Sequence, residues 1–222
     1  MARDKVLVWG AGGHGKVVVD ALMASTEWEI AGVIDEDGKK NATELLGIKI
    51  GLLDGGLLET TRRYKCDSVA IAIGDNYTRH EKFQQIRSAG LRPVNVIHPS
   101  AHISQFVKIG EGVTILAAAT ISAGTMIEDN VCVNTSASVD HDNYLENSCH
   151  IFPNATLTGG VRVREFAYVG SGAVITPNLT VQKYSYVGAG AVVLNDVPEG
   201  MIVGGVPAKT IGEQSRRPGP QK

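Results

Sequence analysis

No stretch of this 222-residue chain approaches the roughly 18 consecutive apolar residues of a membrane-spanning helix, and no long run of lysine or arginine interrupts it. The first absence argues against a membrane span. The second, with a net charge of −2, argues against nucleic acid or a membrane surface as partner. An apolar leader is missing too: Asp4 and Lys5 lead directly into a strand pattern, so no signal peptide and a cytoplasmic location are expected. Cysteine is scarce, with only Cys66, Cys132 and Cys149. Their odd number and spacing fit neither a disulfide framework nor a metal-ligand set, and no close His/Asp pair has ligand spacing either. They read as reduced core thiols, and no metal is expected. What remains, 43% hydrophobic and 20% charged residues, is the composition of a globular protein long enough for two compact units.

What is present in excess is a period. From Ile97 and Ile103 through Val187 and Val193, every sixth residue is Ile, Val or Leu without exception. Four residues after most of these anchors stands a small or apolar residue, as at Ala119, Ala137, Cys149, Ala155 and Ala173. A helix advances about 600° in six residues, which would leave successive anchors about 240° apart. A strand returns to the same face. Two residues after the anchors, however, stand Glu111, Asp129, His141, Asn147, Glu165 and Lys183, which a flat strand would bury with them. The chain must therefore turn within each hexad, giving a solenoid of short stacked parallel strands with the anchors inside. Cys149 falls on an inward position, which assigns it to the core rather than to a nucleophile's role.

The first 96 residues read differently. Lys5–Trp9 is a strand pattern, Gly10-Ala-Gly-Gly-His-Gly15 a glycine turn, Lys16–Ser25 helical, and Ile30–Ile34 a second strand ending at Asp35-Glu36. Gly10, Gly12 and Gly15 fit the G-x-G-x-x-G fingerprint, with an acidic residue about 20 positions on. The pattern predicts a helix at Leu57–Tyr64, a buried strand at Ser68–Ile73, a helix at Tyr77–Ala89 and a last strand at Val94–Ile97. This alternation predicts a small Rossmann-like α/β domain with a parallel sheet of about four or five strands. Gly12, Gly13 and His14 mark a phosphate or diphosphate site at a helix start. With no second mononucleotide half, a nucleotide fits better than NAD. The predicted organisation is 1–96 for this domain, 97–213 for the solenoid and 214–222 for a disordered tail.

The hexads resemble those of the hexapeptide-repeat acyltransferases, and Gly204-Gly-Val-Pro-Ala-Lys209 is similar to the terminal segment of their acetyl-CoA-using members. With the glycine-loop unit, residues 3 to 210 resemble the sialic-acid-type sugar O-acyltransferases. The resemblance is closest to the bacillosamine- and perosamine-pathway N-acetyltransferases, which act on nucleotide-linked 4-amino-4,6-dideoxyhexoses. It implies a left-handed parallel β-helix with three hexads per coil, a homotrimer, acetyl-CoA as co-substrate, and a role in surface polysaccharide or glycan synthesis. It also implies sugar-nucleotide contacts at Gly12, Gly13, His14, Asp35, Glu36 and Gly74. Whether the nucleotide is GDP or UDP is open at this point.

On the solenoid, His141 is outward and flanked by Asp140 and Asp142, either of which is able to orient the imidazole. The family pattern matches Asn134-Thr135 and His141-Asp142, which implies His141 as general base, Asp142 as its acidic partner and Asn134 in the catalytic set. Adding one coil of 18 residues to 141 reaches Gly159, whose N–H is a candidate oxyanion donor, and the family pattern matches there as well. Small residues in the columns Pro153, Ser171, Ala189 and Gly170, Gly188 suggest a groove for the pantetheine arm. Ser171 and Ala189 are the expected coenzyme A contacts, with His150 added by the resemblance. His141 and His150, half a coil apart, are expected to share a site only across a subunit boundary. Two readings compete with N-acetylation: O-acetylation of a sialic-acid-like sugar, and a non-catalytic nucleotide-sensing trimer.

Overall fold

The computed structural model describes residues 3–215. Two compact units divide the chain, with the boundary after Pro99.

In the first unit, β1 (Asp4–Trp9), α1 (Gly13–Ala24), β2 (Trp28–Asp35), β3 (Glu44–Leu45), β4 (Ile48–Leu52), α2 (Leu57–Tyr64), β5 (Ser68–Ile71), α3 (Asn76–Ser88) and β6 (Arg92–Pro93) follow in order. The strands form one sheet in the order β3-β4-β2-β1-β5-β6. It has six strands, one or two more than predicted, because two-residue pieces at Glu44–Leu45 and Arg92–Pro93 extend its edges. Pro93 lacks an N–H, which an edge strand tolerates. Val96–Ile97 is a separate short strand outside this sheet. All pairs are parallel except β3 with β4, and β1 at the centre is buried from Val6 to Trp9.

The second unit is a parallel β-helix of three sheets. Two-residue strands beginning at Thr114, Cys132, His150, Tyr168 and Tyr186 stack in the first sheet. Those from His102 to Val192 stack in the second and those from Lys108 to Thr180 in the third. Each residue pairs with the one 18 positions on, as Val133 with Ile151 and Leu157 with Ile175. From Ile115 to Val187 nearly every anchor is completely buried in one continuous core. Cys149 lies in that core, as its inward position requires. Three residues after each anchor from Ile109 to Val187, Gly112 through Gly190, the backbone turns with φ between +56° and +79°. This left-handed geometry suits Gly, Asn and Asp, which supply most of these positions. An antiparallel hairpin, Met201–Gly204 with Lys209–Glu213, ends the first sheet, and the Gln214 amide bonds to Gly200 O. Of the segment expected to be a disordered tail, 216–222 lies outside the described residues.

Candidate active site

In the first unit the chain leaves β1 for β2 on one side and reaches β5 on the other, so a crevice opens at the carboxyl ends of these strands. A cavity of about 310 Å³ fills it, lined among others by Trp9, Gly12, Gly13, His14, Glu36 and Lys82. The glycines divide into two kinds. A Cβ on Gly10 or Gly15 would lie 2.6 Å from the carbonyl oxygen of Ala72 or Gly10, so these two are demanded by backbone packing. A Cβ on Gly12 or Gly13 would meet nothing within 4 Å, so these two leave the cavity open. Helix α1 starts there with no side-chain cap and no acid in its first turn, so the positive end of the helix dipole favours an anion at this place.

His14 and Gly74 come together in this cavity: a Cβ on Gly74 would sit 3.7 Å from that of His14. Burial, with the Arg79 cation adding to it, pushes the His14 pKa down to about 4, so its ring is neutral at pH 7 and offers one donor and one acceptor. Arg79, 1% exposed, was not singled out in the sequence; it donates to Gly74 O at 3.1 Å and to Asn76 Oδ1 at 2.8 Å, holding the Gly74 turn in shape. Asp35 Oδ2 accepts from Ala11 N at 2.7 Å and Lys40 Nζ at 2.8 Å, and its Oδ1 accepts from Asp37 N at 2.9 Å. Burial alone would raise the Asp35 pKa, but hydrogen bonds from Lys40 and from the amides of Asp37 and Ala11 outweigh it and hold the carboxyl below its ordinary range. Asp35 thus braces the glycine loop as well as facing the cavity. Glu36 pairs with Lys82 Nζ at 2.6 Å, and that ammonium lies 4.7 Å from the centre of the Trp9 ring.

On the β-helix, the corner between the second and third sheets carries His141, Asp142 and Gly159. His141 Nδ1 lies 2.8 Å from Asp142 Oδ2, while Asp140 Oδ1 instead takes the His141 backbone N–H at 2.8 Å. The question of which carboxylate serves the ring is therefore answered by Asp142, which sits at a left-handed residue with φ +58°. With Asp142 accepting, the proton belongs on Nδ1 and the lone pair on Nε2. That nitrogen faces Gly159: a Cβ there would stand 2.7 Å from it. Among the described residues the Gly159 N–H has no acceptor, so the glycine that borders the ring also carries an unused donor. The Asp142 hydrogen bond, together with the Asp140 charge, raises the His141 pKa above 6.5.

Asn134, Ser171 and Ala189 occupy a different corner, between the first and second sheets, and His150 lies on the first sheet beside it. Asn134 Oδ1 takes the Thr135 N–H at 2.8 Å, so its amide nitrogen is the end 3.2 Å from His150 Nε2. His150 is 2% exposed and stacked on Phe152 with ring centres 4.2 Å apart. Ser171 and Ala189 are exposed. Gly170 does not widen a groove: its Cβ would lie 2.5 Å from Val187 O, so its size serves the stacking of coils. Six residues of extended chain, up to roughly 20 Å, separate this corner from His141. Among the described residues no group of three or more His, Cys, Asp or Glu is placed to hold a metal, and no helix is long and apolar enough to cross a membrane.

A glycine-loop sheet followed by a hexapeptide-repeat helix bearing an oriented histidine is the architecture of a sugar acyltransferase. Residues 5–86 match the PglD N-terminal domain family. The chain is similar to Caulobacter crescentus PerB, solved with CoA and GDP-perosamine, at 39% identity and a TM-score of 0.87 over 95% of this chain and 99% of that one. It is also similar to the acetyltransferase domain of Neisseria gonorrhoeae PglB, solved with acetyl coenzyme A, at 33% identity and a TM-score of 0.85 over 95% and 100%. The UDP-N-acetylbacillosamine N-acetyltransferase of Bacillus subtilis is 32% identical over 122 residues, 50% of this chain; the match spans about half, 51%, of that curated relative. The chain belongs to the hexapeptide-repeat sugar acetyltransferases that include the perosamine and bacillosamine N-acetyltransferases.

Proposed function

We propose that this protein transfers the acetyl group of acetyl-CoA to the C4 amine of a nucleotide-linked 4-amino-4,6-dideoxyhexose. The observation that carries the reading is His141 Nε2 beside Gly159, whose N–H has no acceptor among the described residues, on a chain similar throughout to an enzyme solved with CoA and GDP-perosamine. The neutral amine attacks the thioester carbonyl, His141 takes the proton the nitrogen loses, and the oxyanion accepts from Gly159 N–H. Collapse expels the CoA thiolate, which recovers the proton from the imidazolium. The nucleotide lies in the first unit, its diphosphate at the Gly12–His14 helix start, with Asp35, Glu36 and Gly74 around it. Ser171, Ala189 and His150, with Asn134 orienting the His150 ring, line the coenzyme's path. The β-helix is left-handed in this reading, and the enzyme is cytoplasmic, where its two activated substrates are made. Assay with acetyl-CoA and GDP- or UDP-linked 4-amino sugars tests it, with GDP-perosamine expected to turn over. Preference for a sialic-acid-like hydroxyl acceptor, or no transfer to any sugar, would overturn it.

Two expected results follow from the geometry. Because the Asn134–Ser171 corner and the His141 corner of one chain stand apart, a complete site requires a second copy, and the reading includes a homotrimer. Light scattering is expected to give the mass of three chains; a stable, active monomer would contradict this. Gly13→Val fills open space rather than packed backbone, so the fold should survive. KM for the nucleotide sugar should rise about tenfold or more, equivalent to losing about 1.4 kcal/mol of binding, while the KM for acetyl-CoA is unchanged.

A further inference from the structure

Asn143 breaks a rule its neighbours obey. Four residues after the anchors the inward side chain is small and apolar at Ala137, Ala155 and Ala173, but at the His141 corner it is Thr125 and then Asn143, 0% and 1% exposed. Burying an amide is costly unless it is hydrogen-bonded. Here only one end is: Asn143 Nδ2 faces Asp140 O at 2.7 Å, Thr158 O at 3.0 Å and His141 O at 3.3 Å, while Oδ1 has no partner among the described residues. Three carbonyls around one atom identify it as the nitrogen.

These three bonds are not equivalent. Asp140 O already accepts from Thr125 Oγ1 at 2.9 Å, and His141 O from Gly160 N at 3.0 Å. Thr158 O accepts, among the described residues, from Asn143 alone. That carbonyl belongs to the Thr158–Gly159 peptide, whose nitrogen end is the Gly159 N–H beside His141. A donor on a peptide's oxygen draws electron density from its nitrogen and makes the N–H a stronger donor.

We propose that Asn143 is a positioning residue for the acyl-transfer site: it ties the turn bearing His141 to the next coil and polarises the peptide whose N–H receives the oxyanion. The inference rests on His141 as base and Gly159 as donor. It explains why a buried amide occupies an inward position that Val161 fills one coil on.

The test uses the full-length enzyme with acetyl-CoA and its nucleotide-linked amino sugar. Asn143→Ala places there the small inward residue that Ala137 and Ala155 supply at the neighbouring corner. Asn143→Ser adds a control, because Ser185, also inward, donates to the carbonyl three residues back at 2.6 Å. Serine at 143 is thus expected to rebuild the bond to Asp140 O and leave Thr158 O bare. Both variants should lose kcat by roughly tenfold, less than the 10²–10³ that follows outright loss of an oxyanion donor, because the donor is weakened and not removed. KM for both substrates should stay within about twofold, and the acidic limb of kcat/KM should not move, since the His141–Asp142 pair is untouched. The Gly159 amide proton should shift upfield in both, a readout independent of turnover. Recovery of wild-type kcat by serine would reduce Asn143 to a brace for its own turn, and an alanine variant with unchanged kcat, or a loss confined to KM, would equally overturn the proposal. His141→Ala run in parallel separates the two levels: full activity there removes the base reading, whereas its loss beside an unaffected Asn143→Ser removes only the role of Asn143.

Discussion

His141→Ala is expected to lower kcat by roughly 10² to 10⁴, the range for losing a general base, with little change in KM for the nucleotide sugar. The ring is poorly placed to serve stability: His141 and Asp142 side chains are 60% and 71% exposed, and exposed pairs contribute little to folding. Their value lies in fixing the tautomer, with the proton on Nδ1 and the lone pair on Nε2 beside Gly159. The pH dependence follows from the same contacts. The Asp142 hydrogen bond, then the Asp140 charge, raise the His141 pKa above 6.5, and a base works only when deprotonated, so the acidic limb of kcat/KM should lie above pH 6.5. Asp142→Asn removes the largest of these contributions, so the limb should move to lower pH while kcat falls less than in the alanine variant. Near-full kcat for His141→Ala between pH 6 and 9 would mean that another group takes the proton.

Gly159→Ala should inactivate the enzyme without unfolding it. The added Cβ would lie 2.6 Å from His141 Cε1 and 2.7 Å from Nε2, closer than any real contact, while the exposed ring is free to swing away. Displacing the base by about 1 Å is enough to cost on the order of 10²-fold in kcat. The melting temperature should barely change. Gly170→Ala is the contrast: its Cβ would meet Val187 O at 2.5 Å and Ala189 N at 2.8 Å, backbone atoms that cannot yield, so it should lower stability instead. If Gly159→Ala kept wild-type kcat, or lost activity only by melting, the side-by-side arrangement of base and donor would be wrong.

The hexad period made the β-helix legible because one rule repeats along it: an aliphatic anchor inside, a left-handed residue three positions later, a small inward residue after that. Once the coil is known to take 18 residues, Gly159 follows from His141 by addition, because in-register parallel stacking places like positions on one corner. The first unit was legible as a glycine turn between strands, since only that turn brings backbone N–H groups to a helix start. Asn143 was not singled out: with Thr125 and Ser185 it is a polar exception among the inward residues, and such an exception alone does not say what an amide would bind.

Period, glycine turn, buried anchors and the outward place of His141 are therefore properties of local spacing, which the chain encodes residue by residue. Side-chain direction and contacts between coils are not. Asp140 and Asp142 flank His141 symmetrically in sequence, yet the left-handed backbone at 142 aims one carboxylate at the ring and leaves the other to the amide. Gly12 and Gly15 look alike in the motif, yet one faces open space and the other a carbonyl oxygen. The bond from Asn143 to Thr158 and the Arg79 cation that helps keep His14 neutral likewise join residues far apart along the chain. Such contacts depend on rotamers and on which coil or strand lies next door, so they exist only once the backbone has closed around them.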